Sequence, residues 1–206
     1  MDSYFYDPAA GHGLSHDPFK AIVGPRPIGW VSTQDAAGRR NLAPYSFFNA
    51  VCDNPQMIAF SSNGRKDSVR NAEATGEFVW NLATLPLAEQ MNRTSAPVDH
   101  GVDEFVLAGL DPAPSRNVSP PRVADTPAAL ECKVASIINL TTIDGTATDQ
   151  WLVIGQVVGV HIRPEYIGQD GLFDTAAAQP ILRAGYLADY AAISPAAMFK
   201  MRRPTA

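Results

Sequence analysis

Two β-type runs, ALECKVASIINLTTI (residues 129–143) and WLVIGQVVGVHIRP (151–164), constrain this chain more than any other feature. Both are rich in β-branched residues, and only the turn-prone DGTATDQ separates them, so they are expected to pair as antiparallel neighbours. Shorter strand signals surround them. AIVGPRPIGWVSTQ (21–34) ends in the turn DAAG and implies a hairpin; NLAPYSFFNAV (41–51) carries Pro44, which suits an edge strand better than a central one. MIAFSS (57–62) reads as a short buried strand and EFVWNLA (77–83) as a half-buried one. Between these two the period changes, and DSVRNAEATGE reads as a helix with Asp67 or Ser68 near its N-cap and Gly76 at its end. A second helix is expected from Pro86 through PLAEQMNRTS. Many strands with few, short helices argue a mainly β fold, an antiparallel barrel with helical insertions, as opposed to alternating βαβ units.

The 206 residues suit one domain, taken as residues 19–206 behind an N-terminal extension, 1–18. Residues 111–127, rich in Pro and Ser, read as a surface excursion long enough to be functional, and the Ala- and Gly-rich chain from Gly168 onward shows no clear period. A hydrophobic fraction of 46% supports a packed core, and a net charge of −5 leaves no basic excess for nucleic acid or an anionic membrane surface. The most apolar stretch, 151–162, falls short of the roughly 20 residues a membrane helix needs, and the first residues lack a secretory pattern, so a cytoplasmic location is expected. Cys52 and Cys132 lie far apart in apolar strand contexts and are expected to be buried free thiols.

Two segments carry chemistry. The order strand, polar loop, helix start in FSSNGRKDSVRN crowds Ser61, Ser62, Arg65, Lys66 and Ser68 around the unpaired N–H groups and positive dipole end of a helix, as a phosphate monoester requires. The same spacing also describes a surface helix whose cations are simply solvated. The segments GWVST and NLAPYSFFN place Trp30, Ser32, Thr33, Tyr45, Ser46, Phe47 and Asn49 on adjoining strand positions, where apolar walls and polar donors suit a flat heterocycle such as isoalloxazine. Aromatic strand residues of this kind also fill cores. His12, His16 and His100 show no metal-ligand spacing and are expected to be solvated.

In their order along the chain, RPIGWVST, NLAPYSFFNAV, SSNGRKDSVRN and GEFVWNL, followed by TSAP, GVDEFVLAGL and VIGQVVGVHI, resemble the flavin reductase-like family of FMN-binding split barrels, which includes flavin reductases and flavoredoxin-type proteins. The resemblance implies that Trp30, Val31, Ser32, Thr33, Tyr45, Ser46, Phe47 and Asn49 line the flavin, and that Ser61, Ser62, Arg65, Lys66, Asp67 and Ser68 hold its phosphate, with Asp67 capping the helix or orienting Lys66. It also implies a homodimer with flavin near the subunit interface, and it associates Arg183 and Tyr186 loosely with the site. Relatives often place a His just before the late VIGxV strand, where this chain has Gln150 and Trp151; His161, within that strand, is expected to be structural.

The implied activity is hydride transfer from NADH or NADPH to N5 of FMN, with FAD a less favoured cofactor and a partner oxygenase a possible recipient of reduced flavin. No side-chain acid, nucleophile or metal is needed for that step, so no catalytic residue is assigned; Thr33, Ser46 and Asn49 are the candidate donors to the N1/O2 edge. The alternatives are an FMN electron carrier of flavoredoxin type without nicotinamide activity, which the missing His favours, and a cofactor-free binding barrel.

Overall fold

The computed structural model describes residues 3–204. In chain order its elements are α1 (Phe19–Ile22), β1 (Arg26–Pro27), β2 (Gly29–Gln34), β3 (Arg40–Tyr45), β4 (Phe48–Asp53), β5 (Gln56–Asn63), α2 (Asp67–Thr75), β6 (Glu77–Asn81), α3 (Ala88–Arg93), α4 (Glu104–Ala108), β7 (Pro112–Ala113), β8 (Arg122–Val123), β9 (Ala128–Thr141), β10 (Ala147–Ile162), α5 (Thr175–Ala178), β11 (Ile181–Arg183) and β12 (Tyr190–Ala192). Seven strands form one antiparallel sheet in the order β3-β2-β6-β9-β10-β5-β4, with β1, β11 and β12 in a small second sheet and β7 paired to β8. The fold is the mainly β split barrel expected from the sequence.

Closure follows from connectivity. β3 and β4 are the two edges of the seven-stranded sheet, yet only Ser46 and Phe47 join them, so the sheet must curl until its edges meet. Pro44, which lacks an N–H, sits on edge strand β3 where the ladder does not need one. Phe48 of β4 stacks on Trp80 of β6 at 5.5 Å between ring centres, although three strands lie between them in the sheet, so both rings fill the inside of the curl. Val31, Phe60, Phe78, Cys132 and Val153 share that interior with Val69 and Ala72 of α2. On the opposite face Trp30 and Leu42 pack against Met91 of α3 and Phe105 of α4. Neighbours Trp30 and Val31 thus serve different cores, as a strand's alternation requires. Inside the curl Gly155 makes room for Phe78, whose ring carbon would lie 2.3 Å from a Cβ there.

Two expectations need correction. The segment 21–34 is not one strand: α1 takes its first residues, and the ladder of β2 begins only at Gly29. Cys52 is exposed on edge strand β4, because that strand turns nearly all of its residues to the outside; Cys132 is buried, and its thiol is pushed far up from its ordinary value, by burial first and the Glu131 charge second. Within the excursion 111–127, β8 packs Val123 into the core and Asn81 Oδ1 accepts from the Val123 N–H at 2.8 Å.

Candidate functional site

β5 ends at Asn63, opposite Gln150 of β10, and Gly64, at φ +80°, turns the chain toward α2. Lys66 is extended and precedes the first helical residue, and no side chain caps the helix. The amides of Asp67, Ser68 and Val69 therefore precede the first intrahelical bond, which runs from the Arg70 N–H to the Lys66 carbonyl at 3.0 Å. A cleft of about 790 Å³ opens there, bounded by Arg65, Lys66, Tyr45 and the segment 94–98, with Glu104 in its lining. Among the described residues the Lys66 ammonium has no carboxylate partner. Arg65 is tied to Glu73 and lies over the Trp151 ring at 5.1 Å.

The structure sorts the fourteen expected residues into three places. Tyr45, Arg65, Lys66, Asp67 and Ser68 line the cleft. Phe47, Asn49 and Ser61 line a second, shallower hollow of about 530 Å³ with Arg26, Ile22 and Val51. Trp30, Val31, Ser32, Thr33, Ser46 and Ser62 line neither. The first four of these six are completely enclosed. Trp30 Nε1 donates to Thr94 Oγ1 at 3.0 Å, the Ser32 hydroxyl donates to the Pro121 carbonyl, and Thr33 Oγ1 accepts from Asn41 and Asn71. The Ser46 carbonyl accepts from Arg26 Nε at 3.1 Å, and Ser62 Oγ donates to the Gly64 carbonyl at 2.9 Å. In this conformation the Thr33 hydroxyl is occupied within the protein and is not aimed at a hollow.

Ser68, at the start of the helix, is buried and accepts from Asn41 Nδ2 at 2.8 Å. Asp67 neither caps α2 nor meets Lys66. Its carboxylate lies 2.8 Å from His100 Nδ1 and 3.7 Å from Arg70. His100, expected to be merely solvated, thus lines the cleft. Burial pushes the Tyr45 phenol above its ordinary range, with the Ser68 and Ser62 hydroxyls working the other way, so it stays a neutral donor and acceptor at the cleft wall.

Glu104 went unrecognised in the sequence. It follows Asp103, whose side chain caps α4, and so reads as an exposed first-turn acid; instead it is 6% exposed and accepts the Leu42 N–H at 2.9 Å. Burial, and after it the charges of Asp67 and Asp103, raises its carboxyl above the usual range against the pull of that N–H. A raised carboxyl means that the folded chain binds the proton more tightly than the unfolded chain, so Glu104 favours folding increasingly as pH falls from above its folded value to below its unfolded one. Glu104→Gln keeps an oxygen for Leu42 and removes the titration. Its stability relative to the parent is expected to be highest near neutral pH and to decline toward about pH 4, in denaturant midpoints measured across that range; parallel curves would refute the assignment.

A family model described as "Flavin reductase like domain" matches residues 24–180. A protein of Halalkalibacterium halodurans is 35% identical over 173 residues, which span 80% of this chain and 82% of that one. Among solved structures, nitrilotriacetate monooxygenase component B of Bacillus cereus superposes with a TM-score of 0.86 at 28% identity, covering 98% of this chain and 100% of its own. The 2-nitrobenzoate 2-nitroreductase of Pseudomonas fluorescens superposes with a TM-score of 0.79, also at 28% identity, covering 91% and 89%.

Proposed function

Because this chain belongs to the flavin reductase-like domain family, we propose that its flavin-related redox function is carried by FMN, reduced by NADH or NADPH. The observation behind this reading is the corner at the start of α2, where uncapped amides and the unpaired Lys66 ammonium converge on one cleft. Those groups fit a dianionic phosphoryl group, and a compact corner of this kind favours FMN over FAD. Bound FMN would supply a ring that accepts hydride at N5. The chain's part is to hold the phosphate with Lys66 and the amides of residues 67 and 68, to offer the Tyr45 hydroxyl at the cleft wall, and to present Phe47 and Asn49 in the adjoining hollow. Ser32, Thr33, Trp30 and Val31 form the rigid wall behind that surface, and Ser61, Ser62 and Ser46 shape the strand ends that bring the two hollows together.

The outer hollow lies beside edge strand β4 and is flanked by exposed Ile22, Val23 and Val51. An open apolar rim of this kind supports a homodimer in which a second copy completes the flavin site. Similarity to a monooxygenase component supports delivery of reduced flavin to a partner oxygenase. Among the described residues no helix is long and apolar enough to cross a membrane, which accords with the proposed cytoplasmic location.

A specific observation favours the carrier alternative. At the position where relatives often have His, Gln150 Oε1 accepts from Ser61 Oγ at 3.2 Å, so a neutral amide holds that place. Anaerobic addition of NADH or NADPH to FMN-loaded protein separates the readings. Bleaching of the flavin absorbance is expected for the reductase; retained FMN without bleaching identifies the carrier, and failure to bind FMN overturns both. Lys66→Ala is expected to weaken FMN binding about tenfold to a hundredfold by removing one charge-assisted hydrogen bond of about 1.5–3 kcal/mol. Fluorescence titration checks this, and an unchanged affinity would dismiss the corner as the phosphate site. Ser68 is unsuited to the same test, because its loss would leave Asn41 with a buried unpaired donor.

A further inference from the structure

β10 runs from the α2 corner, where Gln150 faces Asn63, to a second cleft of about 460 Å³ around His161. The excursion 111–127 walls one side of it. Arg116, Arg122 and Arg163 line the cleft together with His161. Its frame is held by Glu131, a fully buried carboxylate that accepts from the N–H groups of Arg116 at 2.7 Å and Asn117 at 2.6 Å and lies 2.5 Å from His161 Nε2. Asn117 Nδ2 adds a bond to the Val158 carbonyl at 2.8 Å. The loop is therefore anchored by its backbone and by the Asn117 side chain, which leaves the Arg116 and Arg122 side chains for the cleft.

The charges do not balance within it. The Glu131 carboxylate is satisfied by the groups just named, and Arg163 is paired with Glu165 at 2.5 Å and Asp125 at 3.6 Å. Among the described residues neither Arg116 nor Arg122 has a carboxylate partner, and Arg122 Nε is enclosed without any hydrogen-bond partner. A guanidinium presents a planar fork of N–H donors that matches carboxylate and phosphate oxygens, and leaving an enclosed N–H unmet is unfavourable. The cleft is also of the size that admits a metabolite.

We propose that this cleft is a second ligand site, separate from the flavin corner, for a small organic oxyanion bearing a phosphate or carboxylate group, with Arg122 and Arg116 as its anion-binding residues. The inference stands on the geometry of this end of the barrel and does not depend on what the α2 corner holds.

The test follows the Arg122 Nε–H resonance by NMR while inorganic phosphate or succinate is titrated into the full chain, with chloride at matched ionic strength as control. A saturable shift with at least one oxyanion and none with chloride is expected, and the arm that responds identifies the preferred group. Arg122→Gln should weaken binding of that oxyanion at least about tenfold, followed on the remaining cleft resonances, and leave FMN binding unchanged. Arg116→Gln, on an exposed loop, serves the same purpose if the first variant does not fold. Lys66→Ala should leave the Arg122 response intact, which separates this cleft from phosphate bound at α2. No saturable shift with either oxyanion, an equal shift with chloride, or full binding in both arginine variants would overturn the proposal.

Discussion

Riboflavin is expected to bind this protein at least about a hundredfold more weakly than FMN. The two ligands share the ring and differ in the terminal phosphoryl group, so the difference isolates what the α2 corner contributes. Lys66 is available without breaking an ion pair, and the amides of residues 67 and 68 have no side-chain cap to displace. Arg65 can join them at small cost, since its pair with Glu73 is about half exposed on both sides and surface pairs of that kind contribute about 1 kcal/mol or less. Two charge-assisted hydrogen bonds of about 1.5–3 kcal/mol each already exceed a hundredfold in affinity. Flavin fluorescence titrations with the two ligands in the same buffer measure the ratio. Equal affinities would mean that the ring alone determines binding and that the corner is an ordinary solvated helix start.

Glu131→Ala is expected to destabilise the fold by about 3–5 kcal/mol, the usual loss when one member of a buried charged network is removed. The substitution leaves the N–H groups of Arg116 and Asn117 and the His161 ring without their acceptor, and it removes one of the anchors that hold the excursion 111–127 to the barrel. For a chain of this size that corresponds to a fall of about 6–20 °C in Tm. The acid limb should change as well. Burial raises the Glu131 carboxyl, but His161 and the two backbone N–H groups outweigh it and leave it below its ordinary value. A depressed carboxyl contributes stability that is complete above the unfolded value and lost as pH falls through the folded one, so the variant should have a flatter profile below about pH 4.5. Glu131→Gln, which keeps one oxygen, should lie between the two. A loss under about 1 kcal/mol for Glu131→Ala would show that the excursion is held by other contacts.

Glu131 also shows where strand alternation stops being informative. In ALECKVAS its neighbours Leu130 and Cys132 both pack with the barrel interior, so the pattern reads Glu131 as facing solvent. It does face away from that interior, but the excursion folds over it. The periodicity of a strand records two faces and carries nothing about a distant loop that covers one of them. Glu104 is the same case on a helix, an acid in a first turn whose burial depends on β3 packing across it.

The sequence by itself determined the parts whose causes are local. The runs around residues 129–164 could satisfy their length and alternation only as paired strands, Pro44 required an edge, and Gly76 ended α2 in a left-handed turn. The strand, loop and helix start at residues 61–68 were legible for the same reason, since a helix N-terminus exposes its amides wherever it occurs. Only the tertiary structure decided which of the expected residues could meet a ligand. It enclosed the side chains of residues 30–33, gave Ser68 to Asn41, turned Asp67 toward His100, left Cys52 outside and drew Glu104 to the cleft. Ser68, Asp67 and Glu104 each owe their place to a partner tens of residues away that only the folded chain brings close, and Cys52 is exposed because its edge strand turns outward.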